Sequence, residues 1–571
     1  MVKQSVIAAL FLALVGCRDD NAAGDGPEPG GGGDGSGSAD ESGSDGDGDG
    51  DGGSTGGEVD QGDPLDPAAM LTRASLDLRG IRPTLDELEA LAADPAALDV
   101  MISAYVDDPS FAARVRDIFA GAWRTRIDEY PLLDGIYAYD PNGPTHGAIG
   151  EEALNLIAYV AMNDLPFSEI LRSTDTFVDP VLLDGWPLEP LEDGGEWLPE
   201  GTVRARYTDG RPTSGVLTLN SVYWRHSSTV ENANRGRTNA LSQALLCQSY
   251  LDRPIDFPTN LDLTDSESIR DAIGTNAACQ ACHSTLDPLA SHLWGFMYAG
   301  DQPSPTYSVG NEYDWQIYTD APPGYFGVPT NRLVDLGEQI AGDERFVSCT
   351  VRRVYEGLLG RKAVLQDEGA LAEHREAFLA ANLSLKELTR SIVGDPSYRG
   401  ARWTPVFGGD PEPVIRKVAP VDVLGRSLAE LSGYRLQYGG RDATRLDFAL
   451  RRLAGGSDRG DSQSVSTGAV LVQRRLAEAG AIFLVDSVLA GQPTGGRLDA
   501  LLNGLDLGAA PATSDVVALV RLARSSELAA DDPELVALEQ LWTDVAAVAN
   551  PNEAWIALIT AVLADPDHIL Y

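Results

Sequence analysis

Residues 277–289 read Ala-Ala-Cys-Gln-Ala-Cys-His-Ser-Thr-Leu-Asp-Pro-Leu, in which Cys279, Cys282 and His283 form the most specific chemical pattern of the chain. Two thiols three residues apart can each add to a vinyl group of one porphyrin, and the adjacent histidine can then bind the iron from one side. The pattern predicts one covalently attached haem c, with Cys279 and Cys282 as the attachment points and His283 as the proximal iron ligand.

Two other kinds of site use a Cys-x-x-Cys pair, a redox dithiol and a structural zinc site. A thioredoxin-type dithiol belongs to an alternating strand and helix context, which the flanking sequence lacks. A structural zinc site needs two further ligands, usually as a second close pair, whereas Cys247 and Cys349 stand singly. Zinc, a disulfide within the motif and chance remain as alternatives to haem.

The first residues of the chain have the features of a bacterial lipoprotein signal. Lys3 supplies the positive charge, residues 6–15 form an apolar run too short to span a bilayer as a helix, and Leu-Val-Gly-Cys at 14–17 is similar to a lipobox. We expect cleavage before Cys17 and acylation of its thiol; an ordinary signal peptide with an incidental cysteine is the alternative. The expected location is the cell envelope, lipid-anchored at the outer membrane or the periplasmic face, with the lipid membrane as a partner.

The chain is strongly acidic, with a formal net charge of −43 over 571 residues. Residues 18–66 carry fifteen acidic residues and one arginine among glycines and serines. Because such a segment has almost nothing apolar to bury, we expect a disordered and extended tether. The remaining surface is also acidic and repels phosphates, which excludes nucleic acid as a partner. It favours a basic partner, although acidity is also a common device for solubility.

Beyond the tether, apolar residues recur at the three- and four-residue spacing of amphipathic helices. Residues 84–87 and 384–387 have the order of helix capping boxes, and Asp-Pro at 532–533 begins a long helical pattern. Residues 180–235 and 300–332, rich in Pro, Gly and aromatic residues, are expected to be irregular. The predicted fold class is mainly α, multi-domain and helical, with long irregular loops around a cytochrome c-like haem segment.

The expected domain boundaries follow these changes in pattern. They are a lipoprotein signal peptide at 1–16, a disordered acidic tether at 17–66, an N-terminal helical domain at 67–200, a haem c-binding segment at 201–340, a helical domain at 341–404 and a C-terminal helical domain at 405–571. The last of these carries no motif that suggests a role.

The chain has five cysteines. With Cys17 acylated and Cys279 and Cys282 bound to haem, Cys247 and Cys349 remain. An even remainder in an oxidising compartment predicts a disulfide between these two, and a pair of buried free thiols is the alternative.

The second axial ligand of the iron is expected to be a histidine or a methionine. His226 lies in a polar loop, and Met297 lies in an apolar stretch beyond Pro288, where we expect the helix to break. We favour His226 slightly over Met297; a surface histidine, a core methionine and an iron open on this side are the alternatives. His292 follows His283 by nine residues, which on a continuous helix turns it away from the iron.

The segments around the motif resemble the planctomycete-type cytochrome C proteins, which are exported bacterial proteins built of several domains of unknown function. The likeness rests on residues 165–171, 215–218, 234–236, 245–248, 268–271, 279–289, 346–350 and 358–361, and the resemblance covers about residues 70–400. Two features depart from the family pattern: the proline-rich run after residue 247 is reduced, and residues 290–296 replace the usual aromatic-acidic segment. The resemblance implies haem and export more than any particular reaction.

Three functions are compatible with these features. The first is an exported, lipid-anchored c-type cytochrome that transfers electrons at the cell envelope to a redox partner that the sequence does not identify. The second is a peroxidase-like, haem-dependent oxidoreductase, and the third is a surface binding or scaffolding lipoprotein with a structural haem. No Ser/His/Asp, phosphate-loop or paired-carboxylate pattern stands out, so no catalytic residue is assigned.

Overall fold

The computed structural model describes residues 65–571 apart from short internal gaps. These gaps are residues 132–142, 193, 253–261, 263, 298–303, 401, 405–411, 415–416, 459, 461–463, 527 and 530. The expected signal peptide, Cys17 and nearly all of the expected tether lie outside the described residues.

The protein is mainly α-helical and multi-domain, as the sequence predicts. The helices are α1 (Pro67–Leu78), α2 (Leu85–Ala93), α3 (Leu98–Tyr105), α4 (Phe111–Trp123), α5 (Pro144–Met162), α6 (Asn220–Arg225), α7 (Arg235–Leu246), α8 (Ser266–Thr275), α9 (Ala277–Ala290), α10 (Trp315–Tyr318), α11 (Leu333–Ala341), α12 (Glu344–Leu359), α13 (Glu368–Ala380), α14 (Leu385–Gly394), α15 (Pro396–Arg399), α16 (Val421–Ser432), α17 (Thr467–Leu489), α18 (Asp499–Asn503), α19 (Thr513–Arg524), α20 (Pro533–Val548) and α21 (Pro551–Leu563). Among the helices described, none combines the length and the hydropathy needed to cross a lipid bilayer.

Short antiparallel strands connect the helices. They are β1 (Thr176–Val178), β2 (Leu188–Pro190), β3 (Val203–Tyr207), β4 (Gly324–Tyr325), β5 (Val328–Pro329), β6 (Arg402–Thr404), β7 (Glu412–Val414), β8 (Gln437–Tyr438) and β9 (Arg441–Asp442). The first three form one sheet in the order β1-β3-β2, and the others pair as β4-β5, β6-β7 and β8-β9.

The three-stranded sheet corrects the expectation that residues 180–235 are irregular throughout. In β3 the buried Ala205 lies between Arg204 and Arg206, and both arginines hydrogen bond to the Asp175 carboxylate. Alternation of inward and outward side chains is the period of a strand. The flanking prolines and glycines obscured that alternation in the sequence.

Local capping explains where several helices begin. At α2 the Thr84 hydroxyl accepts a hydrogen bond from the Glu87 amide at 3.2 Å, and the Glu87 carboxylate accepts one from the Thr84 amide at 2.7 Å, so this capping box is confirmed. At α14 the Ser384 hydroxyl caps the Glu387 amide at 3.2 Å, but the Glu387 carboxylate binds Arg390. Only half of the second predicted box forms.

The buried apolar side chains fall into two main clusters. The larger cluster draws on residues between 70 and 398 and includes the inner faces of α4, α5 and α12. The second draws on residues between 419 and 563, where α17, α20 and α21 pack together. Helix α20 begins at Pro533, directly after its N-cap Asp532, as the Asp-Pro step predicted. It buries Leu535, Leu538 and Trp542.

Candidate functional site

The Cys-x-x-Cys-His motif lies on helix α9. The Asn276 side chain begins this helix by accepting hydrogen bonds from the amides of Ala278 at 2.8 Å and Cys279 at 3.4 Å. The helix continues through Pro288 to Ala290, so the predicted break at Pro288 is wrong. Pro288 lies in the last turn of α9. The hydrogen bond that its missing N–H removes is therefore close to the end of the helix.

The three chemically active side chains lie on one face of α9. Residues three and four apart are neighbours on a helix surface, so Cys282 and His283 both lie beside Cys279. Both thiols are free and half-buried, and 24% of the His283 side chain is exposed. This face therefore presents two thiols and an imidazole to one bound group.

The His283 imidazole is held by a carboxylate on the same helix. His283 Nδ1 lies 3.0 Å from Asp287 Oδ1, and the Asp287 carboxylate also accepts two hydrogen bonds from Arg235, at 2.7 and 2.9 Å. Arg235 is the first residue of α7, so this contact joins the motif helix to its neighbour. The arrangement fixes the plane of the imidazole ring.

The charge state of Asp287 decides which imidazole nitrogen is available. Burial would raise the pKa of this carboxyl, but the hydrogen bonds from His283 and Arg235 lower it below its ordinary value of 3.8. An ionised carboxylate only accepts hydrogen bonds, so Nδ1 of His283 donates to Asp287 and Nε2 is the nitrogen left to bind a metal. Metal-binding histidines commonly have such a second partner, which makes the ligand nitrogen more basic.

Sequence reasoning did not select Asp287 or Arg235 as parts of the site. A signal existed for Asp287, because a residue four positions after a histidine lies beside it on a helix. No local pattern marks Arg235, which is 52 residues away along the chain.

Helix α7 is also joined to α12 by a disulfide. Cys247, at the end of α7, is bonded to Cys349 of α12 with 5.3 Å between the Cα atoms. Arg353 supports the same contact by donating a hydrogen bond from Nε to the Ala244 carbonyl at 3.1 Å. These are the two cysteines left over by the cysteine count. A cross-link that closes a loop of this length typically stabilises a protein by about 2–4 kcal/mol.

The two candidates for the second axial ligand lie near one buried arginine. Arg237 donates from Nε to the His226 carbonyl at 2.6 Å and from Nη1 to the Phe296 carbonyl at 2.9 Å, next to Met297. The His226 side chain itself lies with Nε2 3.2 Å from the Trp123 carbonyl, and burial lowers its pKa to about 4.

Met297 and His292 both lie in apolar surroundings. The Met297 side chain is buried with Ala233 and Trp294. His292 is buried, with Nε2 2.6 Å from the Thr330 hydroxyl, which makes it a hydrogen-bonded core histidine. The assignment of His226 or Met297 to the iron stays a prediction, and either side chain would have to leave its present partners.

The donor set on α9 fits a covalent haem. Across the part of the chain that the structure describes, no group of three or more His, Cys, Asp or Glu side chains is placed to hold a metal ion. A zinc ion at Cys279 and Cys282 would need further ligands of this kind. A covalent haem needs only the two thiols and the Nε2 atom of His283.

The structure defines a mainly α, multi-domain protein in which helix α9 presents two thiols and an imidazole on one face. Residues 213–303 match the family model PSCyt3, a protein of unknown function (DUF1588). This is the planctomycete cytochrome C family, so the resemblance is confirmed over that segment. Neither the curated proteins nor the solved structures gave a match to the chain.

Proposed function

We propose that this chain is an exported, lipid-anchored c-type cytochrome that carries one haem c and transfers single electrons at the cell envelope. The observation that carries the proposal is the face of α9, where two free thiols lie beside an imidazole whose Nδ1 is held by Asp287. The family match over residues 213–303 supports a cytochrome-type segment. The haem iron would supply a one-electron couple whose potential depends on its ligands and on burial.

Each residue of the site has a separate task in this proposal. Cys279 and Cys282 would hold the haem through two thioether bonds, and Nε2 of His283 would bind its iron. Asp287 accepts the Nδ1 proton and keeps the ring in one orientation, while Arg235 holds the Asp287 carboxylate in place. The two thiols are half-buried, so a group bound to them would lie near the surface, where a redox partner could approach.

One observation favours a peroxidase-like oxidoreductase as the second candidate. Both candidates for the opposite axial position are engaged elsewhere, His226 with Trp123 and Met297 with apolar side chains. If neither moves, neither residue would bind the iron of a haem held on α9, and the hydrogen bond from His283 to Asp287 would make Nε2 more basic.

The coordination of the ferric haem distinguishes these two functions. For the protein purified from a host that matures c-type cytochromes, we expect a six-coordinate ferric spectrum and no rapid reaction with hydrogen peroxide. His226→Ala or Met297→Ala should change the near-infrared charge-transfer band of the ferric form, and we expect His226 to be the one that does so. Met101→Ala, a half-buried methionine of α3, is the matched control and should leave the band unchanged.

Two results would contradict these expectations, the first for the ligand assignments and the second for electron transfer as the function. If His226→Ala and Met297→Ala both leave the ferric spectrum unchanged, both assignments fail. A five-coordinate spectrum together with fast consumption of peroxide would establish the oxidoreductase instead.

The lipid anchor is tested at Cys17, which lies outside the described residues. Mass spectrometry of the mature N-terminal peptide should show diacylglycerol on the Cys17 thiol, and Cys17→Ala should move the protein from the membrane to the soluble fraction. Cys282→Ala is the matched cysteine control and should stay with the membrane. A Cys17→Ala form that still partitions wholly into membranes would refute the anchor.

A further inference from the structure

Two adjoining cavities lie away from α9, where α4 and α5 meet residues 425–445. Their volumes are about 490 and 250 Å³. They share four lining residues, Arg116, Glu200, Asp442 and Arg445, and together they form one cleft. The larger volume lies in the range of small-molecule sites in proteins.

Arginines crowd around two carboxylates beside this cleft. Asp117 accepts hydrogen bonds from Arg114 at 2.9 Å, Arg126 at 2.8 Å and Arg426 at 2.9 Å. Glu151 accepts two hydrogen bonds from Arg126, at 2.6 and 3.1 Å. These contacts use most of the acceptor capacity of both carboxylates.

Two further arginines line the cleft without a complete set of partners. Arg116 donates from Nη1 to Asn155 at 3.0 Å, but its buried Nε atom has no hydrogen-bond partner in the described residues. The Arg445 guanidinium makes no hydrogen bond among the described residues; it lies 3.6 Å from Glu151 and 3.9 Å from Asp117. Both side chains are largely buried, at 17% and 26% exposure.

The balance of charge at this place is positive, in a chain that is strongly negative as a whole. Burial would raise the pKa of Glu151, but the surrounding arginines lower it to about 2, and the pKa of Asp117 is also well below its ordinary value. Both carboxylates are therefore ionised at neutral pH, where the five arginines are also charged. Two of these arginines, Arg114 and Arg126, are buried and the other three are partly buried, whereas the nearby carboxylates are Asp117, Glu151 and Asp422. Charge that is removed from water without a counter-ion is unfavourable.

The other wall of the larger cavity is apolar. Trp197, Leu428 and Leu476 line it, whereas the acidic residues Glu200 and Asp442 are exposed at the rim. The Asp442 carboxylate already accepts hydrogen bonds from the Thr444 amide and hydroxyl. The rim acids are in contact with water, which screens their repulsion of an anion.

We propose that this cleft binds a small organic oxyanion, with a carboxylate or phosphate group on Arg445 and Arg116 and an apolar body against Trp197. The planar fork of a guanidinium matches both kinds of headgroup and binds them with charge-assisted hydrogen bonds. This site is separate from the haem motif and does not depend on haem attachment.

Calorimetric titration of the full mature protein tests the proposal. The probes are benzoate, phenyl phosphate and benzamide, the neutral counterpart of benzoate, at an ionic strength of about 0.15 M to screen surface charges. We expect saturable binding of benzoate, phenyl phosphate or both, and none of benzamide. Arg445→Gln should weaken binding by at least about tenfold, since a hydrogen bond to a charged group contributes about 1.5–3 kcal/mol.

The variants separate loss of the site from loss of the fold. Arg445 makes no hydrogen bond that its removal would break, and its ion pairs with Glu151 and Asp117 are long, at 3.6 and 3.9 Å. Arg445→Gln should therefore unfold without ligand at a temperature close to that of the wild type. Arg475→Gln, on the exposed face of α17, is the matched control and should bind as the wild type does. Binding of only one anion supports the proposal and identifies the headgroup. No saturable binding of either anion, equal binding of benzamide, or unchanged affinity in Arg445→Gln overturns it.

Discussion

In a host that matures c-type cytochromes, Cys282→Ala is expected to lose all or nearly all of the covalently bound haem. Cys282 lies beside Cys279 on one face of α9 and supplies one of the two proposed thioether bonds, so its removal leaves the Cys-x-x-Cys-His pattern incomplete. After acid denaturation and extraction with organic solvent, the wild type should keep its haem stain on a gel. The variant should show background staining only.

The matched control is Ser284→Ala, an exposed neighbour on the same helix that should retain the full stain. It reports any general effect of substitution in α9 on folding or export. If the wild-type colour leaves with the solvent, covalent attachment is wrong. A Cys282→Ala protein that stains as strongly as the wild type would exclude this thiol as an attachment point.

What the sequence could reveal about this fold is mostly local. The capping box at Thr84 and Glu87 spans three residues, and the start of α20 is encoded by a single Asp-Pro step, so both are visible in a short window. The motif of α9 is equally local. The mainly α class followed from the helical spacing of apolar residues, which repeats along most of the chain.

The contacts that position these elements join residues far apart along the chain. Arg235 reaches Asp287 across 52 residues, and Arg426 reaches Asp117 across 309. No spacing rule links such pairs, because their proximity depends on how the helices pack. For the same reason, the overall acidic composition gave no sign that several arginines gather around Asp117 and Glu151.

A buried ionic network of this long-range kind connects α1 with residues near 398, 417 and 571. The Asp77 carboxylate accepts hydrogen bonds from the hydroxyls of Tyr398 and Tyr571, each at 2.7 Å, and from the Lys417 ammonium group. Lys417 also donates to the Leu358 carbonyl. The Asp77 and Lys417 side chains are only 3% and 6% exposed, so this ion pair is almost completely removed from water.

Asp77→Ala is expected to lower the free energy of unfolding by about 3–5 kcal/mol, because it leaves the buried Lys417 ammonium without its carboxylate. Denaturant titration monitored by circular dichroism measures the change. Asp99→Ala removes a carboxylate that is 72% exposed and pairs with Arg399 at the surface, so this control should lose no more than about 1 kcal/mol. Adding Lys417→Met to Asp77→Ala should recover much of the loss, since it removes the buried charge that Asp77 neutralises in the wild type. Equal effects of Asp77→Ala and Asp99→Ala would contradict this account.

The same network determines how the contribution of Asp77 to the free energy of unfolding depends on pH. Burial would raise the pKa of Asp77, but the charge and hydrogen bond of Lys417 and the two tyrosine hydroxyls lower it below its ordinary value of 3.8. A carboxyl with a depressed pKa in the folded state stabilises the fold above its unfolded pKa, and this contribution disappears as the pH falls through the folded pKa. The difference in unfolding free energy between the wild type and Asp77→Asn should therefore be constant from pH 7 to about 5 and shrink below about pH 4. A difference that grows as the pH falls would show that Asp77 is protonated in the folded protein at neutral pH, and the buried ion pair with Lys417 would then be wrong.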